Sequence, residues 1–118
     1  MTLAALVIAI AAQLGRGTPS PAVVDAIASA TTDEHEAALL TVYAAYESAY
    51  RPGAVGDGGR SCGVWQQACA RVSGLPLETQ ARIWLSDVRA SSLAAVDSSA
   101  RRAARRQRLA ERALAAVR

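Results

Sequence analysis

Apolar residues recur every three or four positions along most of this 118-residue chain, which is the spacing of an amphipathic helix. Alanine, the strongest helix former, is abundant, and runs of β-branched residues are few. The pattern predicts helices over residues 2–14, 21–31, 34–50, 76–90 and 100–117. The predicted fold class is therefore all-α, a small helical domain.

Residues at the predicted helix ends support these boundaries. Ser20 is placed to cap the second helix, with Pro21 at its first position, where the missing N–H costs nothing. Asp33 is the predicted N-cap of the third helix, and Glu36 is expected to complete a capping box with it. The third helix is expected to end before Pro52, because a residue that precedes proline avoids the helical region.

The segment after this helix contains four glycines in residues 53–61, which predict a loop or a minimal hairpin. A further helix is expected from about residue 64 to residue 72. If Cys62 and Cys69 belonged to one continuous helix, they would lie about 10 Å apart along its axis, too far for a disulfide. They can pair only if Cys62 lies in the loop before the helix, and both arrangements stay open. One His and two Cys at these spacings match no tetrahedral ligand pattern, so we predict no metal site and no cofactor.

Residues 1–14 are almost wholly apolar. A membrane-spanning helix needs about 20 residues, and a secretory signal needs a basic start, which this segment lacks. We expect a helix packed against the rest of the protein, and the alternative is a leader or a membrane-associating segment. The predicted organisation is an apolar helix and linker over residues 1–19, followed by the main domain over residues 20–118.

All thirteen basic residues are arginine, the net charge is +3, and the arginines crowd the end of the chain. Arg101, Arg105, Arg108 and Arg112 share one predicted face of the last helix. Such a face is usually only solvated, but it can also attract an anionic wall polymer or membrane headgroups. Nucleic acid is not expected as a partner, because no aromatic residues are interleaved with the arginines for base stacking.

The candidate chemistry centres on Glu47, at the end of the third helix and at the edge of a stripe that contains Tyr43, Tyr46 and Tyr50. Burial beside aromatic rings disfavours the charged form of a carboxyl, and a protonated carboxyl can donate a proton to a glycosidic oxygen. The glycine-rich loop that follows lets backbone groups approach a sugar closely. Gln66 offers both a donor and an acceptor to a sugar amide or hydroxyl, or to the glutamate itself.

These motifs carry a resemblance to a known superfamily. Glu47-Ser48, a Pro-Gly-Ala-Val loop at residues 52–55 and Gly-Val-Trp-Gln at residues 63–66 resemble the motifs of the soluble lytic transglycosylases and goose-type lysozymes. Members of that superfamily carry Glu-Ser, an Asn-Pro-Ala-Val-like loop, and Gly-Leu-Met-Gln or Gly-Leu-Phe-Gln. The string GDGGRSCGVWQQ is similar to the version in small phage and bacterial wall-degrading enzymes. The resemblance implies a lysozyme-like catalytic domain over residues 20–118.

The resemblance implies cleavage of peptidoglycan at the β-1,4 bond between N-acetylmuramic acid and N-acetylglucosamine, at the bacterial cell wall. Glu47 matches the catalytic acid, which in transglycosylases then acts as a base while the muramyl 6-hydroxyl attacks to give a 1,6-anhydro product. In the goose-type lysozymes water attacks instead, with help from an aspartate in the glycine-rich loop. Asp57 is placed for that role, so hydrolysis is the alternative.

The remaining candidate residues are expected to contact substrate, and each has a plainer interpretation. Ser61 either hydrogen-bonds near the glutamate or caps the helix that follows. Trp65 can stack on a sugar ring, although a core position is favoured, and Tyr50 is the tyrosine most expected to face the cleft. The candidate substrate-binding set is Ser61, Gly63, Trp65, Gln66 and Tyr50.

The sequence departs from the superfamily in its second half. The usual Tyr-Asn pair that supports the catalytic glutamate is missing, because the chain contains no Asn and no Tyr after residue 50. A non-catalytic protein that retains the fold, such as a structural virion component or a wall-binding module, is therefore the rival hypothesis. A lysis or virion-associated role in a phage, with other virion proteins as partners, fits the small size and the string resembled.

Overall fold

Helices dominate the structure, as predicted, but a small three-stranded sheet corrects the all-α expectation. The computed structural model describes all residues from Met1 to Arg118. The helices are α1 Leu3–Leu14, α2 Pro21–Ala30, α3 Glu34–Ser48, α4 Cys69–Val72, α5 Leu77–Ala90 and α6 Ala100–Val117. The strands are β1 Val55–Gly56, β2 Ser61–Cys62 and β3 Gln67–Ala68, and short 3-10 turns cover Asp57–Gly59 and Leu93–Ala95.

Helix α3 forms the centre of the fold. Every residue from Ala37 to Ala45 is buried, so the helix is enclosed on all sides. Helices α1 and α6 pack against α3 and against each other, while α2 packs on α1 and α5. This arrangement presents the last turn of α3, which carries Glu47, at the edge of the core.

Helix α1 packs into this core. Leu6, Val7, Ile10 and Ala11 are buried, whereas Ile8 is exposed on the outer side. The spacing of the buried residues matches the helical period and explains the apolar pattern of the segment. None of the helices has the length and hydropathy to cross a membrane.

The predicted N-cap of α3 is confirmed, but the capping box is not. The Asp33 carboxylate accepts a hydrogen bond from the Glu36 N–H at 2.8 Å. The Glu36 carboxylate instead accepts hydrogen bonds from the Arg89 guanidinium and the Thr31 hydroxyl, and the Asp33 N–H donates to Thr31 Oγ1. The hydrogen bond from Arg89 holds the pKa of Glu36 below its ordinary value. A charged donor forms a stronger hydrogen bond than a backbone N–H, which explains the exchange.

The helix expected over residues 64–72 is wrong for its first half, because only Cys69–Val72 is helical. The preceding residues form the antiparallel sheet β1-β2-β3, in which Cys62 pairs with both Val55 and Gln67. Gly63 and Gln66 have positive φ angles of 85° and 49°, which turn the chain between β2 and β3 and prevent a continuous helix. Cys62 therefore precedes the helix, and it forms a disulfide with Cys69.

Candidate functional site

Glu47 occupies the last turn of α3, where the helix gives way to the glycine-rich loop. The helix ends at Ser48 because Ala49 and Tyr50 adopt left-handed backbone conformations, with φ angles of 52° and 64°. The Glu47 side chain is 27% exposed. It is therefore anchored on a buried helix and still reaches solvent.

Ser48, the second residue of the Glu-Ser motif, ties the helix end to the sheet. Its buried hydroxyl donates a hydrogen bond to the Val64 carbonyl at 2.7 Å and accepts one from the Arg51 N–H at 3.1 Å. The motif thus places one side chain outward and the next inward. The inward hydroxyl fixes the segment that carries Gln66 relative to the glutamate.

An open pocket of about 520 Å³ lies between this helix end and the loop. It is lined by Glu47, Arg51, Gly53, Ala54, Val55, Gly56 and Gln66, and we call it the Glu47 pocket. The Gln66 amide donates hydrogen bonds to the carbonyls of Ala54 at 3.1 Å and Gly63 at 2.9 Å, so it shapes the loop wall. A Cβ at Gly56 would lie 2.6 Å from Gln66 Oε1, so any larger residue there would displace the Gln66 amide.

Arg106 of α6 closes the other side of Glu47. Its Nη1 donates a hydrogen bond to Glu47 Oε1 at 2.6 Å and lies 3.8 Å from Asp97 Oδ2. The guanidinium lies 4.8 Å from the ring centroid of Tyr43 and 5.5 Å from that of Tyr46. The sequence predicted only aromatic walls here, and the structure corrects this by placing a cation against the carboxylate.

Behind Arg106, Asp97 is the buried anion that completes the cluster. It accepts hydrogen bonds from the Tyr43 hydroxyl at 2.8 Å, from Arg102 Nε at 2.9 Å and from the Ser99 N–H at 3.1 Å. Burial raises the pKa of Asp97, but the hydrogen bonds from Arg102, Tyr43 and Ser99 outweigh it and hold that pKa below its ordinary value. Burial, followed by the hydrogen bond to Asp97, raises the pKa of Tyr43. We call Glu47, Arg106, Asp97, Arg102 and Tyr43 the charge network.

Sequence reasoning missed the α6 side of this network, although one signal was present. Arg106 lies three residues after Ala103 and four before Ala110, both of which are buried, so it falls inside the apolar face of α6. An arginine at such a position needs a partner. Asp97 carried no comparable signal, because an Asp-Ser-Ser sequence is typical of an ordinary turn or cap.

Two of the predicted residues pair with each other away from the Glu47 pocket. Asp57 is exposed at the tip of the hairpin, and its carboxylate accepts a hydrogen bond from the Ser61 hydroxyl at 2.5 Å. Neither residue lines the pocket that contains Glu47. Of the predicted set, the structure therefore brings only Gln66 to the same pocket as Glu47.

The other three predicted residues lie in the interior. Trp65 is 3% exposed, and its indole N–H donates to the Leu40 carbonyl at 2.9 Å. Tyr50 is also 3% exposed rather than at the cleft, its hydroxyl has no hydrogen-bond partner, and burial raises its pKa to about 12. Gly63 is buried beside Gln80, whose Oε1 would lie 2.7 Å from an added Cβ. These three residues therefore belong to the core next to the glycine-rich loop and do not line the Glu47 pocket.

No three His, Cys, Asp or Glu side chains come together in a cluster that could hold a metal ion. No protein-family model, no curated protein and no solved structure matches the chain. The resemblance to the lysozyme-like superfamily therefore rests on the short motifs of residues 47–66 alone.

Proposed function

We propose that the protein cleaves peptidoglycan glycan strands at the β-1,4 bond between N-acetylmuramic acid and N-acetylglucosamine, as a lytic transglycosylase. The observation that carries the proposal is the pocket in which Glu47 faces Gln66 and the loop Gly53–Gly56. A carboxyl group, an amide in the same pocket and a wall that includes the small residues Gly53, Ala54 and Gly56 suit a glycosidic bond between bulky sugars. Val55, 65% exposed at the rim, offers an apolar surface to a sugar ring.

The two carboxyl oxygens of Glu47 have different surroundings, which fit different roles. Oε1 accepts the hydrogen bond from Arg106, while Oε2 accepts none from the protein. A proton on Oε2 passes to the glycosidic oxygen as the bond from that oxygen to C1 breaks. The resulting carboxylate, stabilised by Arg106, then takes the proton of the muramyl 6-hydroxyl as its oxygen attacks C1. The products are a 1,6-anhydro sugar and a shortened strand.

Two rival functions remain beside this one. Hydrolysis requires Asp57 to direct a water, and Asp57 pairs with Ser61 outside the Glu47 pocket. A non-catalytic wall-binding or virion protein is favoured by a specific observation, the ion pair between Glu47 and Arg106, because an ionised carboxylate donates no proton. The proposed reaction therefore starts from a protonated Glu47, and the proton that Glu47 takes from the muramyl 6-hydroxyl restores this form at the end of each turnover.

The test is digestion of purified peptidoglycan by the wild-type protein and by Glu47→Gln, with the soluble fragments identified by mass spectrometry. We expect 1,6-anhydro-muropeptides from the wild type and none from the variant. Glu111→Gln, the same change at an exposed residue of α6, is the matched control and should retain the wild-type products.

Each other result assigns a different function. Reducing-end muropeptides from the wild type would replace the transglycosylase by a hydrolase, and Asp57→Asn would then be tested for loss of that activity. Absence of fragments from a folded wild-type protein would exclude an autonomous enzyme and favour the non-catalytic rival. Equal products from the wild type and Glu47→Gln would exclude Glu47 as the acid.

A further inference from the structure

A second pocket, of about 460 Å³, lies on the outer side of α6. It is lined by Tyr46, Leu109 and five arginines of α6, and we call it the arginine pocket. It is separate from the Glu47 pocket, and Arg106 connects the two: its side chain lines the arginine pocket and donates a hydrogen bond to Glu47.

Most of the positive charge in the arginine pocket is not neutralised by the protein. Arg102 and Arg106 form ion pairs with Asp97 and Glu47, whereas the side chains of Arg105, Arg108 and Arg112 form no ion pair or hydrogen bond. No acidic residue lines the pocket. Like charges crowded on one helix destabilise it, so the arrangement is most favourable when an anion is bound.

The lining chemistry identifies the class of anion. A guanidinium presents a planar set of donors that matches the oxygens of a phosphate, and several guanidiniums in a row match a chain of phosphodiester groups. Arg105, Arg108 and Arg112 follow one another along α6 and span about 10 Å of its length. The pocket is therefore suited to a linear polyanion rather than to a single small ion.

Two common polyanionic surfaces fit less well. A membrane-binding helix needs a free apolar face, but the apolar residues of α6, among them Ala110 and Leu114, are buried against other helices. Single-stranded nucleic acid needs an open aromatic ring for stacking. Tyr46 is the only aromatic residue of the pocket, and the Arg16 guanidinium already lies 4.1 Å from its ring centroid.

We infer that the arginine pocket binds the phosphodiester groups of a linear polyol-phosphate polymer of the cell wall. The wall as the source of the polymer rests on the proposed function, whereas the phosphodiester chemistry rests on the pocket itself. Such a polymer is attached to a wall glycan. Its binding in the arginine pocket would hold that glycan near the Glu47 pocket, because the Arg106 side chain lines the first pocket and binds Glu47 in the second.

The test is titration calorimetry of the full chain with a short glycerol-phosphate oligomer at about 0.15 M salt, where the Debye length is about 8 Å and distant charges are screened. The pocket variant carries Arg105→Gln, Arg108→Gln and Arg112→Gln. The matched control carries Arg60→Gln, Arg71→Gln and Arg82→Gln, which remove the same charge from exposed residues away from the pocket. Both variants are first checked for wild-type circular dichroism.

We expect the pocket variant to bind the oligomer about tenfold more weakly than the wild type, and the control to bind with nearly the wild-type affinity. An equal loss of affinity in the two variants would show that binding depends only on net charge, and it would overturn the proposal. Tighter binding of single-stranded DNA with the same number of phosphates, or of phosphatidylglycerol vesicles, would overturn the choice of ligand. No binding by the wild type would overturn the site.

Glu47→Gln separates this inference from the proposed function. The variant leaves Arg105, Arg108 and Arg112 intact, so we expect it to bind the oligomer at least as tightly as the wild type while forming no anhydro products. If the wild type binds the oligomer but does not cleave peptidoglycan, only the proposed function is contradicted. If it cleaves peptidoglycan but does not bind the oligomer, only the inference about the arginine pocket is contradicted.

Discussion

Glu47 lies between two unlike walls. On one side, the glycine-rich loop and Gln66 surround an open pocket with backbone and amide groups. On the other side, Arg106, Asp97 and Tyr43 form a buried cluster of charges and hydrogen bonds. The loop wall comes from residues close to Glu47 in sequence, whereas Arg106 is 59 residues away. Local sequence thus shapes the surface offered to a ligand, and a distant helix supplies the cation that pairs with the glutamate.

The largest difference between the two walls is expected from Asp97→Asn. Asparagine has nearly the same shape as aspartate, so the substitution removes mainly the buried negative charge of the charge network. Arg106 and Arg102 would then face an amide, and the Tyr43 hydroxyl would lose a charged acceptor. We expect the free energy of unfolding to fall by about 3 kcal/mol, because the hydrogen bonds that the buried carboxylate accepts from Tyr43, Arg102 and the Ser99 N–H lose a charged acceptor. Urea denaturation at neutral pH measures the change.

Asp87→Asn is the matched control for this prediction. Asp87 also pairs with an arginine, Arg71, but that pair lies on the surface. We expect a much smaller loss there, since exposed ion pairs contribute little. Equal losses in the two variants would show that burial does not distinguish the charge network from a surface ion pair.

The next largest effect is expected on the loop side, from Cys62→Ser combined with Cys69→Ser. The disulfide links residues seven positions apart in sequence and joins β2 to the start of α4. Closing a loop of this length is expected to stabilise the protein by about 2.5 kcal/mol. Urea unfolding with and without a reductant measures it: the wild type should lose stability on reduction, and the double variant should not respond. A wild type insensitive to reductant would contradict the prediction.

The two walls also differ in how far the sequence predicts them. The spacing of apolar residues predicts α1, α2, α3, α5 and α6 almost to the residue, because each helix buries one face or, for α3, all of them. It fails at residues 64–68, where the left-handed conformation of Gln66, a residue with no local preference for it, turns the chain into a strand.

For the candidate site, motif spacing predicts that Glu47 and Gln66 share a pocket. It does not predict that Tyr50 is buried, because the turn after Ser48 rotates that ring into the core. It also does not predict Asp97 beside Arg106, since their meeting depends on how α6 packs across α3. Contacts between distant segments leave no periodic signal in a single sequence.

A smaller effect on the free energy of unfolding is expected from a change of pH, and it tests the charge network. The pKa values of Asp97 and Glu36 lie below their ordinary values of 3.8 and 4.5 in the folded protein. At pH values near and below these ordinary pKa values, the unfolded chain therefore binds more protons than the folded protein. The stability that the two carboxylates contribute is fully present above about pH 4.5 and is lost as the pH falls below it. Urea midpoints between about pH 7 and pH 3 should decline less steeply for Asp97→Asn than for the wild type. Equal slopes would contradict a role for Asp97 in the acid response.

The smallest expected effect on stability comes from Gly56→Ala, a change in the glycine-rich loop that is expected to alter the shape of the Glu47 pocket. Gly56→Ala is compatible with the backbone, whose φ is −133°, but the new Cβ would lie 2.6 Å from Gln66 Oε1. The Gln66 amide must move and weaken its hydrogen bonds to the Ala54 and Gly63 carbonyls, at a cost of about 1 kcal/mol.

Gly53→Ala is the control, because a Cβ there meets no atom within 4 Å, although Gly53 lines the same pocket. We expect Gly53→Ala to retain the wild-type stability and to lose less of the proposed cleavage than Gly56→Ala, which should lose most of it with only a small loss of stability. Urea unfolding and mass spectrometry of the digest measure the two quantities. If both variants cleave equally, Gln66 does not shape the productive wall, and the charge network alone distinguishes Glu47 from an ordinary glutamate at a helix end.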